Sequence, residues 1–505
     1  MSVLLNMLAA PSSRRFRIFG GLALLSLMVT IIHFRTQWRY GYVSDYYENI
    51  SDYFGTSNEE NSYLPALRYS NSTGPCAGFP NTDGVLLVMK TGATEAYERI
   101  PTQLLTTLSC LPDFLLFSDL EQQIGSHQIH DVLTSVDKDF KAQSADFDLY
   151  RKQKECPVTQ KQCVDPKEEH DKAWVLDKYK FLPMMKQTWR LRPGRDWYIF
   201  TEADTYVFWE NMIFWLKQHS GLNPREKIYL GSRSFIGGRP FAHGGSGYIL
   251  SGALLKHLVQ NHHTSFHQYL ELGSSECCGD MLLALALNEK EGIKVRHTWP
   301  MINGEKPTTM PYGENHWCEP ILTMHHLEAE EVSDVWQFEQ SRKQNRVLVF
   351  KDMYENLIAP RMKDIREDWD NTSDDMCYIN PNPDAQEDID GHEKERAKKE
   401  EDMTDVEKDA WKSSENCAKV CESEPFKVDA DDDEKRRNRR CFQYRWHDDV
   451  CCIASSFRFG KPRPKPEEDS KTKWTSGWYM EGINDWIDVM GSCDRPAWKT
   501  PEPSD

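Results

Sequence analysis

From residue 18 to residue 34 the chain reads IFGGLALLSLMVTIIHF, seventeen positions without Asp, Glu, Lys or Arg. A helix of that length rises about 25 Å, which suits a thin early-secretory bilayer. Arg14, Arg15 and Arg17 precede it, and residues 1–17 carry no acidic side chain. The positive-inside rule therefore makes 1–17 a cytosolic tail, 18–34 a type II signal anchor, and everything after Arg35 luminal. A cleaved signal peptide is the weaker reading, because the bulky Gln37-Trp38-Arg39-Tyr40 follows where small residues are needed. Residues 35–79, rich in Tyr, Ser, Asn and Asp without periodicity, read as a stem.

From Val85 the pattern changes. Val85–Lys90 is a short apolar run, Ile100, Leu104, Leu105 and Leu108 follow at helical spacing, and Phe114-Leu-Leu-Phe117 is a second run. Together they predict β-α-β. Trp197–Phe200, Ile228–Leu230, Gly247–Leu250 and Ile321–Met324 are further strand candidates, with helical stretches at 210–217 and 281–287 between them. The prediction is an α/β domain with an open sheet over residues 80–370. Residues 371–410 mix both charge signs with few apolar positions and read as a charged linker. A cysteine-rich module follows at 411–462, then a tail at 463–505. The basic run 435–440 lies between acidic stretches and reads as a surface loop.

Charge and cysteine content narrow the function classes. With 61 Lys and Arg against 79 Asp and Glu the net charge is −18, so nucleic acid is excluded as a general partner. All 14 cysteines lie on the luminal side, from Cys76 to Cys493, which allows up to seven disulfides whose pairing spacing does not fix. Asn-x-Ser/Thr sites at Asn49, Asn71 and Asn371 lie on the same side.

Three clusters carry candidate chemistry. Trp197-Tyr-Ile-Phe-Thr-Glu202-Ala-Asp204 ends an apolar run in two carboxylates, at the carboxyl end of a strand where open sheets bind ligands. Hard oxygen donors there can hold Mg²⁺ or Mn²⁺ against a diphosphate, although Glu-x-Asp alone also describes a solvated strand end. Gly244, Gly245 and Gly247 precede the next apolar run and let backbone pass close to a ligand, in a spacing that fits neither the dinucleotide nor the P-loop fingerprint. Asp280 opens the stretch Met281–Leu287, where an N-cap is the plain alternative to a functional carboxylate. His325 and His326 end the last apolar run; on a strand they face opposite ways, so one of them is the expected ligand.

The series Phe117-Ser118-Asp119, Glu202-Ala203-Asp204-Thr-Tyr-Val207, Gly244–Ser251, Gly279-Asp280 and Met324-His325 resembles glycosyltransferase family 31, in its Fringe and core 1 β1,3-galactosyltransferase branch. The likeness is greatest to the fungal members and covers residues 80–340. It implies a GT-A-type Rossmann-like domain that moves a hexose, galactose first among candidates, from a UDP-sugar to a hydroxyl of a glycoprotein or glycan with inversion. Carried over residue by residue, it makes Asp204 and His325 ligands of Mn²⁺, Glu202 a metal- or sugar-side carboxylate, and Asp280 the base. Lys90, Ser118, Asp119, Gly244 and Gly245 fall near the nucleotide-sugar. Glu202 and Ala203 depart from the family's Asp-Asp-Asp. The rival reading is a catalytically degenerate, membrane-anchored carbohydrate-binding or scaffold protein. Cys421, Cys441-Phe-Gln-Tyr444, Cys451 and Phe457-Arg-Phe-Gly460 resemble a PAN/Apple module, which implies protein or carbohydrate binding; a zinc knuckle is the competing reading. The family's layout implies a Golgi membrane address, with the endoplasmic reticulum second, and is compatible with a homodimer.

Overall fold

Strand β1 (Val85–Lys90) is apolar along most of its length because it is covered on both faces. Val85, Leu87 and Met89 enter one core with Ala96 and Ile100 of the helix Ala96–Leu105, while Leu86 and Val88 enter the opposite core with Leu182, Leu254 and Leu283. In the computed structural model, which describes residues 74–165, 169–342, 346–382, 389–423, 441–463 and 473–502, this strand is central to an eight-stranded sheet. The others are β2 (Phe114–Ser118), β3 (Gln122–Ile124), β4 (His127–Asp131), β5 (Trp197–Glu202), β7 (Tyr229–Gly231), β10 (Tyr248–Ser251) and β11 (Arg296–His297). Their order is β11-β7-β10-β5-β1-β2-β4-β3, parallel from β5 through β1 and β2 to β4. Short pairs lie outside it: β6 (Tyr206–Val207) with β12 (Thr323–Met324), and the hairpin β8 (Arg233–Ile236) with β9 (Arg239–Ala242).

Register places Lys90 opposite Glu202 at the carboxyl ends of β1 and β5. The chain leaves β1 toward β2 on one side while β5 pairs on the other, so these ends border the crevice where open α/β sheets bind ligands.

The segment after residue 364 folds differently from the expectation. Among the described residues, 371–382 and 389–410 are not a free linker and 473–502 are not a loose tail. Strands β13 (Ile365–Glu367), β15 (Met376–Ile379), β16 (Gln443–His447), β17 (Val450–Ala454) and β19 (Trp474–Trp478) form one antiparallel sheet, ordered β13-β19-β16-β17-β15. The first stretch supplies the edge strand β15 and the second the inner strand β19, beside the small pair β14 (Trp369–Asp370) and β18 (Lys461–Pro462). The helix Ser414–Ser423 is pinned to this sheet by Cys417–Cys451, and Cys421–Cys441 and Cys377–Cys452 complete the stapling. Cys318–Cys493 ties the loop before β12 to the segment that follows the helix Met480–Met490. Tyr312, Trp317 and Tyr354 share one core with Phe442, Phe457, Trp478 and Trp486, so the two sheets are parts of one compact unit.

Residues 1–73, with the predicted anchor, most of the stem, Asn49 and Asn71, and also the basic run 435–440, lie outside the described residues. Among the described residues no helix is long and apolar enough to cross a membrane. Asn371 is fully buried, its amide donating to the carbonyls of Tyr444 and Gly477, so this sequon is a packing element of the folded chain.

Candidate functional site

At the carboxyl ends of β1 and β5 lies a cleft of about 550 Å³. Lys90, Asp119, Glu202, Asp204, Gly245, Asp280, His325 and His326 line it. Ser118 does not reach it; its hydroxyl is buried and bonded to the backbone of Leu120. Gly244 stands just behind the wall and acts through its backbone, donating its N–H to Asp280 Oδ2 at 2.8 Å.

Lys90 is buried between two carboxylates, Asp177 at 2.6 Å and Glu202 at 2.9 Å. Burial pushes its ammonium pKa down, but the two carboxylates outweigh it and hold the group above its ordinary range. Lys180 repeats the arrangement with Asp119 at 3.0 Å and Asp177 at 3.2 Å. The floor is thus a ladder of alternating charge in which both lysines and Asp119 are buried, Asp177 and Glu202 are partly exposed, and each is paired.

Asp204 projects two residues beyond β5. Its Oδ2 meets Arg99 at 2.8 Å and its Oδ1 meets His325 Nε2 at 3.3 Å. Burial raises its carboxyl, yet His325 and Arg99 overcome that and keep it well below the usual carboxylate range. The glycine-rich turn is held against this corner by Thr205, whose hydroxyl donates to the Gly245 carbonyl, and by Thr323, whose hydroxyl donates to the Ser246 carbonyl.

The expected division between the two histidines does not hold. Strand β12 stops at Met324, and His326 takes a left-handed backbone, φ 64°. That turn brings both rings to the same side, their centroids 3.8 Å apart. Asp204, His325 and His326 then offer one carboxylate oxygen and two imidazole nitrogens within 4.8 Å of one another. His325 Nδ1 is buried without a hydrogen-bond partner. A carboxylate with two imidazoles suits Mn²⁺ or Zn²⁺, so these residues fit a divalent ion. Glu202, expected beside them, is instead engaged by Lys90.

Asp280 lies in the first turn of the helix Gly279–Glu291, with Oδ1 accepting from Met281 N–H. Burial, only partly offset by the Gly244 and Met281 N–H groups, pushes its pKa up to about 6. It is therefore not an N-cap but a carboxyl tuned toward neutrality at the cleft wall. Immediately before Gly279, Cys277 and Cys278 form a disulfide with each other that also lines the cleft. Trp174 stands on the rim, 54% exposed.

Sequence reasoning missed Arg99, Asp177 and Lys180. The available signal was weak: Asp177-Lys178-Tyr-Lys180 puts charges directly before an apolar helix, and Arg99 lies on the helix that follows β1.

No protein-family model and no curated protein matches this chain. The cleft is therefore read from its own residues.

Proposed function

We propose that the chain is an inverting, metal-dependent glycosyltransferase of GT-A type that moves a hexose, galactose first among candidates, from a UDP-sugar to a sugar hydroxyl of a glycoprotein or glycan in β1,3 linkage. The observation that carries it is the meeting, in one cleft, of a carboxyl tuned to about 6 at Asp280 with the Asp204–His325–His326 group. The second sheet is read as a PAN/Apple-like module, and the whole as luminal in the Golgi behind the predicted anchor.

In this reading Asp280 accepts the proton of the acceptor hydroxyl as that oxygen bonds to the anomeric carbon, while the bond from that carbon to the diphosphate breaks. Single displacement needs one base and no covalent nucleophile, and inversion follows. Mn²⁺ held by Asp204, His325 and His326 would supply positive charge to the departing diphosphate. Lys90 and Lys180 hold Glu202 and Asp119 fixed in the wall, and Arg99 keeps the Asp204 carboxylate aimed into the cleft.

The test is UDP release from a panel of UDP-sugars by the full-length chain in detergent with Mn²⁺, with and without a GalNAc-bearing peptide. Acceptor-stimulated release that Asp280→Asn abolishes, with Mn²⁺-dependent UDP binding kept, supports the reading. Absence of both release and Mn²⁺-dependent UDP binding overturns it in favour of a non-catalytic carbohydrate-binding protein.

A further inference from the structure

The helices Gly252–His262 and Gly279–Glu291 pack through Leu254, Leu255 and Leu258 against Leu283 and Leu287, and their carboxyl ends meet at one corner. At this corner His257 Nδ1 lies 3.0 Å and His262 Nε2 lies 3.3 Å from the same oxygen, Oε1 of Glu291. The other oxygen, Oε2, is taken by Lys227 at 2.7 Å. We propose that His257, His262 and Glu291 form a second divalent-metal site, suited to Zn²⁺, that clasps these two helices together away from the cleft.

Three observations support it. The first is geometric. A tetrahedral ion with bonds of about 2.0–2.1 Å sets its ligand atoms about 3.3 Å apart. The two nitrogens stand 3.0 and 3.3 Å from the carboxylate oxygen, and all three ligand atoms fall within 4.8 Å of one another. Little movement is needed to admit an ion, and a water completes the fourth position.

The second is the state of the carboxylate. The Glu291 side chain is 1% exposed. Its Oε2 meets the Lys227 ammonium at 2.7 Å, a partner that suits an ionised carboxylate. Lys227 fixes the carboxylate through Oε2, while His257 Nδ1 stands 3.0 Å from both carboxylate oxygens and His262 Nε2 faces Oε1, so the lysine plays the role of a hydrogen-bond donor that orients a metal ligand.

The third is the field of the backbone. Two helices end here, and each brings partial negative charge at its carboxyl end. A cation at this corner satisfies both. The site is separate from the cleft: Glu291 lies eleven residues beyond Asp280 on the same helix, about 16 Å along the axis.

The test is equilibrium dialysis of the full-length chain against Zn²⁺, comparing it with Asp204→Ala and with the His257→Ala, His262→Ala double variant. Wild type is expected to bind two equivalents. Asp204→Ala is expected to keep the one at the helix corner, and the double variant to lose that one, with affinity there falling at least about tenfold. His257 is 48% exposed at its side chain, so His257→Gln alone is a variant the fold tolerates and should weaken the same equivalent. Zn²⁺ should also slow amide exchange in the last turn of Gly252–His262 in the Asp204→Ala chain. A double variant that keeps both equivalents, or an Asp204→Ala chain that binds no Zn²⁺ in the micromolar range, overturns the proposal. Neither outcome depends on glycosyl transfer.

Discussion

Replacing Gly245 with alanine should remove metal binding from the cleft without replacing a ligand. The backbone at Gly245 is not in the left-handed region, so alanine is allowed there in itself. The obstacle is His325. A Cβ on residue 245 would stand 2.1 Å from its Cε1, 2.5 Å from Nε2 and 2.7 Å from Nδ1. Ordinary contact begins near 3.4 Å, so the ring must retreat by at least about 1.3 Å. Metal–ligand bonds tolerate only about 0.2 Å. The turn cannot yield instead, because Thr205 and Thr323 hold its carbonyls from below. Disturbing a residue that merely orients a ligand costs about 10- to 100-fold in metal affinity, or about 1.4–2.7 kcal/mol, and displacing a ligand costs at least as much. Calorimetric titration with Mn²⁺ is the assay, with circular dichroism as a check that the chain is folded. Wild-type Mn²⁺ affinity in a folded Gly245→Ala chain would refute the assignment of His325.

Two further outcomes are expected. Asp280, with its carboxyl raised to about 6, is protonated and unable to accept a proton below that pH. Transfer should therefore rise about tenfold per pH unit up to about 6 and then level, measured as acceptor-stimulated UDP release; a break near 4 would deny Asp280 the role of base. The sign for stability is opposite: protonation favours the folded chain below the unfolded carboxyl's range, and that gain is lost as pH rises through about 6. Trp174→Ala removes an exposed flat face from the rim and should raise KM for the acceptor about tenfold with UDP affinity unchanged; a change confined to UDP affinity would place the ring at the nucleotide instead.

Strands β1, β2, β5, β7 and β10 of the central sheet were legible because they are buried and appear as apolar runs, as at Val85–Met89 and Trp197–Phe200, whereas β3, β4 and β11 are polar and were missed, and the run Ile321–Met324 lies outside that sheet. The carboxylates that end those runs were legible for the same reason. The second sheet was hidden. Its outer strands are short and flanked by charge, and Met376–Ile379 pairs with residues about seventy positions later, a relation that no local window contains. Arg99 and Lys180 looked like ordinary surface charges, since only the tertiary fold buries them against Asp204 and Asp119. His326 was assigned by strand alternation, and that rule fails where a single left-handed residue turns the chain.

The shared core of Tyr312, Trp317 and Tyr354 with Phe457, Trp478 and Trp486, locked by Cys318–Cys493, has a geometric consequence. An accessory module on a flexible tether raises the local concentration of whatever it holds and accepts attachment points at many separations. Among the described residues the second sheet shares this core directly, so it stands at one distance and one angle from the cleft. A macromolecule that engages both must present its two features at that spacing. For such a partner the pair of sheets would act as a ruler rather than a leash, selecting by span.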